Sequence, residues 1–170
     1  MKVLLLLFFI VYNLSVASGE KFLSKKIVFF SKFTSFIKWT DAKNSNEKFV
    51  IGVLGFNPFG DKLSSFYKNK TVLKRPVEII EVQTLEEIEK CHILFISQSA
   101  YTLDKILSVS HGKGTLLISH HDGWAEKGVH INYYIKNDRL KFELNQHAAA
   151  KDNVAFKGPL LRYIRIVETK

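Results

Sequence analysis

Cysteine is almost missing from this 170-residue chain. The single Cys91 closes no loop, so a disulfide scaffold is excluded. Proline is scarce, with 3 residues, and acidic side chains are outnumbered, 16 Asp plus Glu against 25 Lys plus Arg, for a net charge of +9. No apolar run reaches the roughly 20 residues that a bilayer-crossing helix needs. Catalytic signatures are missing as well: there is no P-loop, no nucleophile elbow, no paired-His zinc motif and no two-Cys redox site. Gly112-Lys113-Gly114 lacks a third glycine and precedes a strand instead of following one, which rejects a dinucleotide fingerprint. These absences leave no catalytic residue, no metal site and no cofactor to expect. Disorder is excluded in turn, because 46% of the residues are hydrophobic and 13% aromatic.

The N-terminus carries the clearest signal. Met1-Lys2 is a short basic start, Val3 to Val16 is nearly all apolar, and Val16-Ala17-Ser18 supplies small residues before Gly19. That order is the n-region, h-region and cleavage site of a secretory signal peptide, expected over residues 1–18, with one domain over residues 19–170; an uncleaved membrane anchor is the alternative, opposed by the shortness of the run and the small residues that end it. Removing Lys2 leaves 24 cationic against 16 anionic side chains, a net +8. Outside the cytoplasm that charge argues against nucleic acid and points to anionic lipid head groups or an acidic protein surface. Spread along the chain as they are, the same lysines also serve solubility alone.

From Lys21 to Trp39 the apolar positions Phe22, Leu23, Ile27, Phe29, Phe30, Phe33, Phe36 and Ile37 gather within half a turn at 100° per residue, predicting an amphipathic helix. Its apolar stripe is wider than one sheet contact requires, so Phe29, Phe33, Phe36 and Trp39 are candidate partner-interface residues, with a helix wedged deep in its own core as the alternative. After a polar stretch, Asp41 to Lys48, strands are predicted at 49–54, 77–82, 92–96 and 115–119. Helices alternate with them at 59–67, from the Thr84/Glu87 capping box to Lys90, and at 100–109. Two further strands, 130–135 and 139–144, meet across Lys136-Asn137-Asp138 as an antiparallel hairpin. Closing helices are expected at 146–151 and 158–167. The fold class is therefore α/β: a single three-layer domain, mainly a parallel sheet with helices on both faces and a C-terminal antiparallel hairpin.

In an open parallel sheet, ligands bind in the crevice beyond the carboxyl ends of the strands. Three loops there supply candidate ligand-binding residues: Asn57, then Ser97 and Ser99, then His120, His121 and Asp122. Adjacent residues in an extended loop point apart, so His120 and His121 are not expected to share a metal ion. Cys91 is read as a small buried hydrophobe, with pairing between chains as the alternative. Asn69-Lys70-Thr71 matches a glycosylation sequon, of consequence only in a eukaryotic source.

The ordered set formed by the aromatics of Phe33 to Trp39, Phe49 to Gly60, Cys91 to Ile96, Leu117 to Ser119, Gly128 to Asn132, Leu140 to Asn145 with Ala148 and Ala149, and Leu160 to Arg162 resembles the YfiR/HmsC-like family of bacterial periplasmic regulators. The resemblance implies a non-enzymatic protein, commonly dimeric, that binds the periplasmic sensor portion of an inner-membrane signalling protein. In characterised members the target is a diguanylate cyclase, held inactive until envelope stress relieves repression, with cyclic di-GMP output and biofilm formation following release. A histidine kinase is the other kind of membrane sensor the resemblance admits. Members often carry several cysteines whose disulfides answer to the redox state of the periplasm; with Cys91 alone, an intramolecular response of that kind is excluded here. The competing reading is a periplasmic small-ligand-binding module that feeds a sensor kinase or transporter and uses the strand-end loops.

Overall fold

The computed structural model describes residues 23–39, 47–162 and 164–170. The signal peptide expected over residues 1–18, Lys21 and Phe22 of the amphipathic helix, and residues 41–46 of the polar stretch lie outside the described residues. The first half of the chain runs through helix α1 (residues 23–36), strands β1 (Ile37–Lys38) and β2 (Phe49–Leu54), helix α2 (Asp61–Tyr67), strands β3 (Thr71–Val72) and β4 (Arg75–Val82), and a 3-10 helix (Leu85–Lys90). The second half holds β5 (Ile93–Ile96), α3 (Leu103–Ser110), β6 (Leu116–Ser119), a 3-10 turn (Ala125–Lys127), β7 (Ile131–Lys136), β8 (Arg139–Leu144), α4 (Gln146–Lys151), β9 (Ala155–Phe156), α5 (Gly158–Leu161) and β10 (Arg165–Ile166).

The period of two along each strand sends alternate side chains to opposite faces of the sheet. Phe49, Ile51 and Val53 of β2, Ile93 and Phe95 of β5, and Leu116 and Ile118 of β6 meet α1 and α2 in one core. Leu54, Leu94, Ile96 and Leu117 meet the 3-10 helix and α3 in a second core on the other face. Both faces of the central strands are thus covered, which is why these strands read as unbroken apolar runs. The larger core is aromatic: Phe30 of α1 lies 5.8 Å from Phe95, and Phe59 lies 5.4 Å from Phe30 and 4.9 Å from Phe95. Among the described residues no helix is long and apolar enough to cross a membrane.

The eight strands of the main sheet lie in the order β10-β8-β7-β6-β5-β2-β4-β3. Neighbours from β4 to β7 run parallel, while β7 and β8 form the expected antiparallel hairpin. Its two-residue loop is Asn137-Asp138, with φ of 51° and 53°, the mirror-image turn whose twist matches the strands and which Asn and Asp tolerate best among side-chain-bearing residues. A second turn of this kind, Leu73-Lys74, joins β3 to β4 and gives no turn signal in the sequence.

Three elements depart from expectation. The first helix ends at residue 36, and Ile37–Lys38 pairs with β9 in a separate two-stranded ribbon, because the Lys157 N–H takes the Phe36 carbonyl at 2.8 Å. The segment from Thr84 is a 3-10 helix with its capping box intact. The closing helix expected over 158–167 stops at Leu161. Arg165 and Ile166 instead pair with Glu143 and Leu144 on the outer edge of the hairpin, where the β-branched Ile164, Ile166 and Val167 suit an extended backbone.

Candidate functional site

At the carboxyl ends of the strands the loops are occupied largely with one another. Gly55, at φ 88°, lies so close to the Gln98 carbonyl that any side chain there would collide with it, and the Phe56 N–H donates to that same carbonyl at 3.0 Å. The Asn57 carboxamide oxygen accepts from the Phe59 N–H at 2.9 Å while its NH₂ donates to Glu81 at 3.1 Å. Ser97 is buried, and the Ser99 hydroxyl accepts from the Tyr101 N–H at 3.1 Å.

The His120-His121-Asp122 segment behaves differently from an extended loop. The two imidazoles stack on each other, centroids 4.8 Å apart, instead of pointing apart. His120 also lies flat against Phe95 and Tyr133, and His121 meets Trp124 at a tilt, ring centroids 4.2 Å apart. Asp122 is exposed. Partial desolvation on this shelf, then the neighbouring His121 and Lys26 charges, hold His120 below the usual imidazole value. Lys26 reaches in from α1, its ammonium 4.9 Å from the centre of the Tyr133 ring, and burial lowers its own affinity for a proton.

Three of the four candidate interface residues converge elsewhere. Phe29, Phe33 and Phe36 of α1 and Leu140 and Phe142 of β8 line a groove of about 390 Å³, to which Leu160 and Ile164 also contribute. Phe33 is buried and forms the floor, packed edge-on to Phe142 at 5.3 Å; Phe29 lies 4.5 Å from the same ring and, like Phe36, remains partly open. Trp39 is not part of the groove. It is buried against Phe49 and His92 over β2.

Sequence reasoning missed the other wall and the rim. The exposed Lys32 and Lys141 also line the groove, and Lys141, with Lys136, Arg139 and Arg165, borders a basin of about 690 Å³ on the opposite face of the same hairpin. The readable signal was the alternation Arg139-Leu140-Lys141-Phe142, apolar to one face and cationic to the other. A polar cluster was also missed, in which His130 and Asp152 are buried and His111 is exposed. His130 and His111 hold the two carboxylate oxygens of Asp152 at 2.9 and 2.7 Å, and the Gly112 N–H donates at 3.0 Å. The Leu117 N–H donates to His130 Nδ1, so Nε2 carries the hydrogen directed at Asp152. Both nitrogens are thereby committed, which leaves this His–Asp pair a brace between β6, β7 and α4. Burial pushes the Asp152 carboxyl up, but the hydrogen bonds from His130, Gly112 and His111 outweigh it and hold the group below the ordinary carboxylate range.

Among known families, the one described as YfiR/HmsC-like matches residues 24–163. No curated protein matches the chain.

Proposed function

The chain belongs to the YfiR/HmsC-like family, and from that membership we propose that it is an exported, non-enzymatic regulator that binds and restrains the periplasmic sensor portion of an inner-membrane signalling protein, a diguanylate cyclase. The observation that carries this reading is a family match running from the second residue of α1 to the approach of β10. The expected signal peptide over residues 1–18 supports a periplasmic location. The open sides of Phe29 and Phe36 beside a cationic rim support a role in binding another macromolecule, since contiguous apolar surface edged by polar groups marks interaction sites. In this reading Phe33 shapes the groove from below, and Trp39 acts by holding β1 against β2.

Two measurements test it. The purified protein should capture the detergent-solubilised sensor encoded beside it, and deleting its gene should raise cellular cyclic di-GMP. Unchanged cyclic di-GMP together with unchanged activity of every neighbouring sensor kinase would end the proposal. The strand-end residues Asn57, Ser97, Ser99, His120, His121 and Asp122 remain the second reading, a small-ligand site. The stacked aromatic shelf at His120 favours it, and a thermal shift with nucleotides, amino acids or divalent metals would support it.

A further inference from the structure

Among the described residues, the main sheet ends in the short β10, which leaves most of the outer edge of β8 without a paired strand. β10 pairs only with Glu143 and Leu144, so among the described residues no strand lies beside Arg139 to Phe142 on the outer side of β8. The pairing scheme shows which backbone groups face that open side. A two-residue loop makes Lys136 and Arg139 the first hydrogen-bonded pair, and antiparallel pairs alternate, so Leu140 is in a non-hydrogen-bonded pair with Ile135, and Phe142 with Tyr133. The Asn145 N–H donating to the His130 carbonyl continues the same alternation at the far end. The Leu140 N–H and C=O and the Phe142 N–H therefore point outward, ready to pair with another chain.

The two faces beside this edge differ in chemistry. A strand laid along it would have alternate side chains directed into the apolar groove between Leu140, Phe142 and α1, and into the basin of Lys136, Arg139, Lys141 and Arg165. The acid on that second face, Glu143, is held by Arg165 at 3.0 Å, so the other cations remain available to a partner. We propose, resting on the regulatory reading above, that the open edge of β8 takes up an extended segment of the partner sensor in which apolar and acidic residues alternate. The segment adds as a short strand beside Arg139 to Phe142 at about 4.8 Å spacing. Backbone pairing supplies the attachment and the two faces supply the sequence selection.

The charges also decide against a second copy of this chain as the occupant. Two copies meeting through the same patch would bring Arg139 and Lys141 against their own counterparts, and like charges directly opposite are destabilising. The cations that keep the edge from pairing with itself are the ones that select an acidic strand.

The test uses the purified exported protein, labelled for amide exchange, and short synthetic peptides alternating Val with Glu or Val with Lys. The Val/Glu peptide should slow exchange at the Leu140 and Phe142 amides, while the Val/Lys peptide should not. Replacing the two exposed cations together, Arg139→Glu and Lys141→Glu, should weaken that binding roughly tenfold or more and leave the circular dichroism spectrum unchanged. Protection absent from Leu140 and Phe142, equal protection by both peptides, equal protection by anionic lipid vesicles, or dimerisation through the edge in the charge-reversed protein would each overturn the proposal. If the sensor is captured equally by the wild-type and charge-reversed proteins, edge docking falls while the regulatory reading stands. If no sensor is captured but the peptides behave as expected, the edge is a peptide site and the regulatory reading falls.

Discussion

His120 and Asp152 show how far single titratable groups couple this fold to pH. The folded state binds a proton on His120 less readily than the unfolded chain, whose imidazole takes one near 6.5. Above that pH neither state is charged and nothing is lost; as pH falls below it the unfolded chain protonates first and stability declines. His120→Gln should remove this part of the decline, read as a flatter urea midpoint between pH 7 and pH 5 (about the range in which imidazole titrates). Asp152 acts lower. Its depressed carboxyl contributes stability above the unfolded value of 3.8, and that contribution is lost as pH falls through the folded value. Asp152→Asn should cost about 2–4 kcal/mol at neutral pH, since three donors lose a charged acceptor, and should also abolish the acid-side loss, both measurable by urea denaturation. The sequence carries no hint of this cluster, because His111, His130 and Asp152 are brought together by three separate elements.

Helix α1 shows what an element's pattern reveals and what it hides. Its half-turn apolar stripe was legible, and the structure divides that stripe between two jobs that periodicity does not separate. Phe30 is buried at the centre of the aromatic core, while Phe36 lines the open groove. Phe30→Ala should therefore destabilise the protein by about 3–5 kcal/mol, and Phe36→Ala by clearly less, both read from chemical denaturation. The strands were the most legible elements, β2 and β8 to the residue, because buried strands and a short turn leave strong local marks. The last strand was hidden. The periodicity of Leu160, Leu161, Ile164 and Val167 suits a helix as well as it suits burial, and only the unpaired outer edge of β8 draws Arg165 and Ile166 into the sheet.

For the molecule as a whole, alternating strands and helices identified the layered sheet, but the groove joins residues more than a hundred positions apart, Phe29 with Leu140 and Leu160. Local pattern supplied half of that site: the aromatic wall from α1. The other half depends on which strand ends the sheet, and that follows from pairing rather than from any local run. The same long-range closure ties the two ends of the described fold together, since α1 packs on the hairpin that β10 completes. Loosening either side should therefore open both. Shortening the chain after Leu161 should lower the urea midpoint as well as expose Phe142.

Cys91 gives this closure a reporter. Its side chain is fully buried, its thiol donates to the Glu87 carbonyl at 3.6 Å, and its sulfur occupies the space that a side chain on Gly52 would need. An oxidant or thiol reagent in the surroundings can reach that sulfur only when the strand it sits against parts from the sheet. The rate at which Cys91 is labelled should then equal the rate at which the second core opens, rising with urea in step with unfolding and insensitive to reagent concentration once labelling outpaces reclosing. A protein with no disulfide to break thus records, at one atom, how often its interior meets the outside.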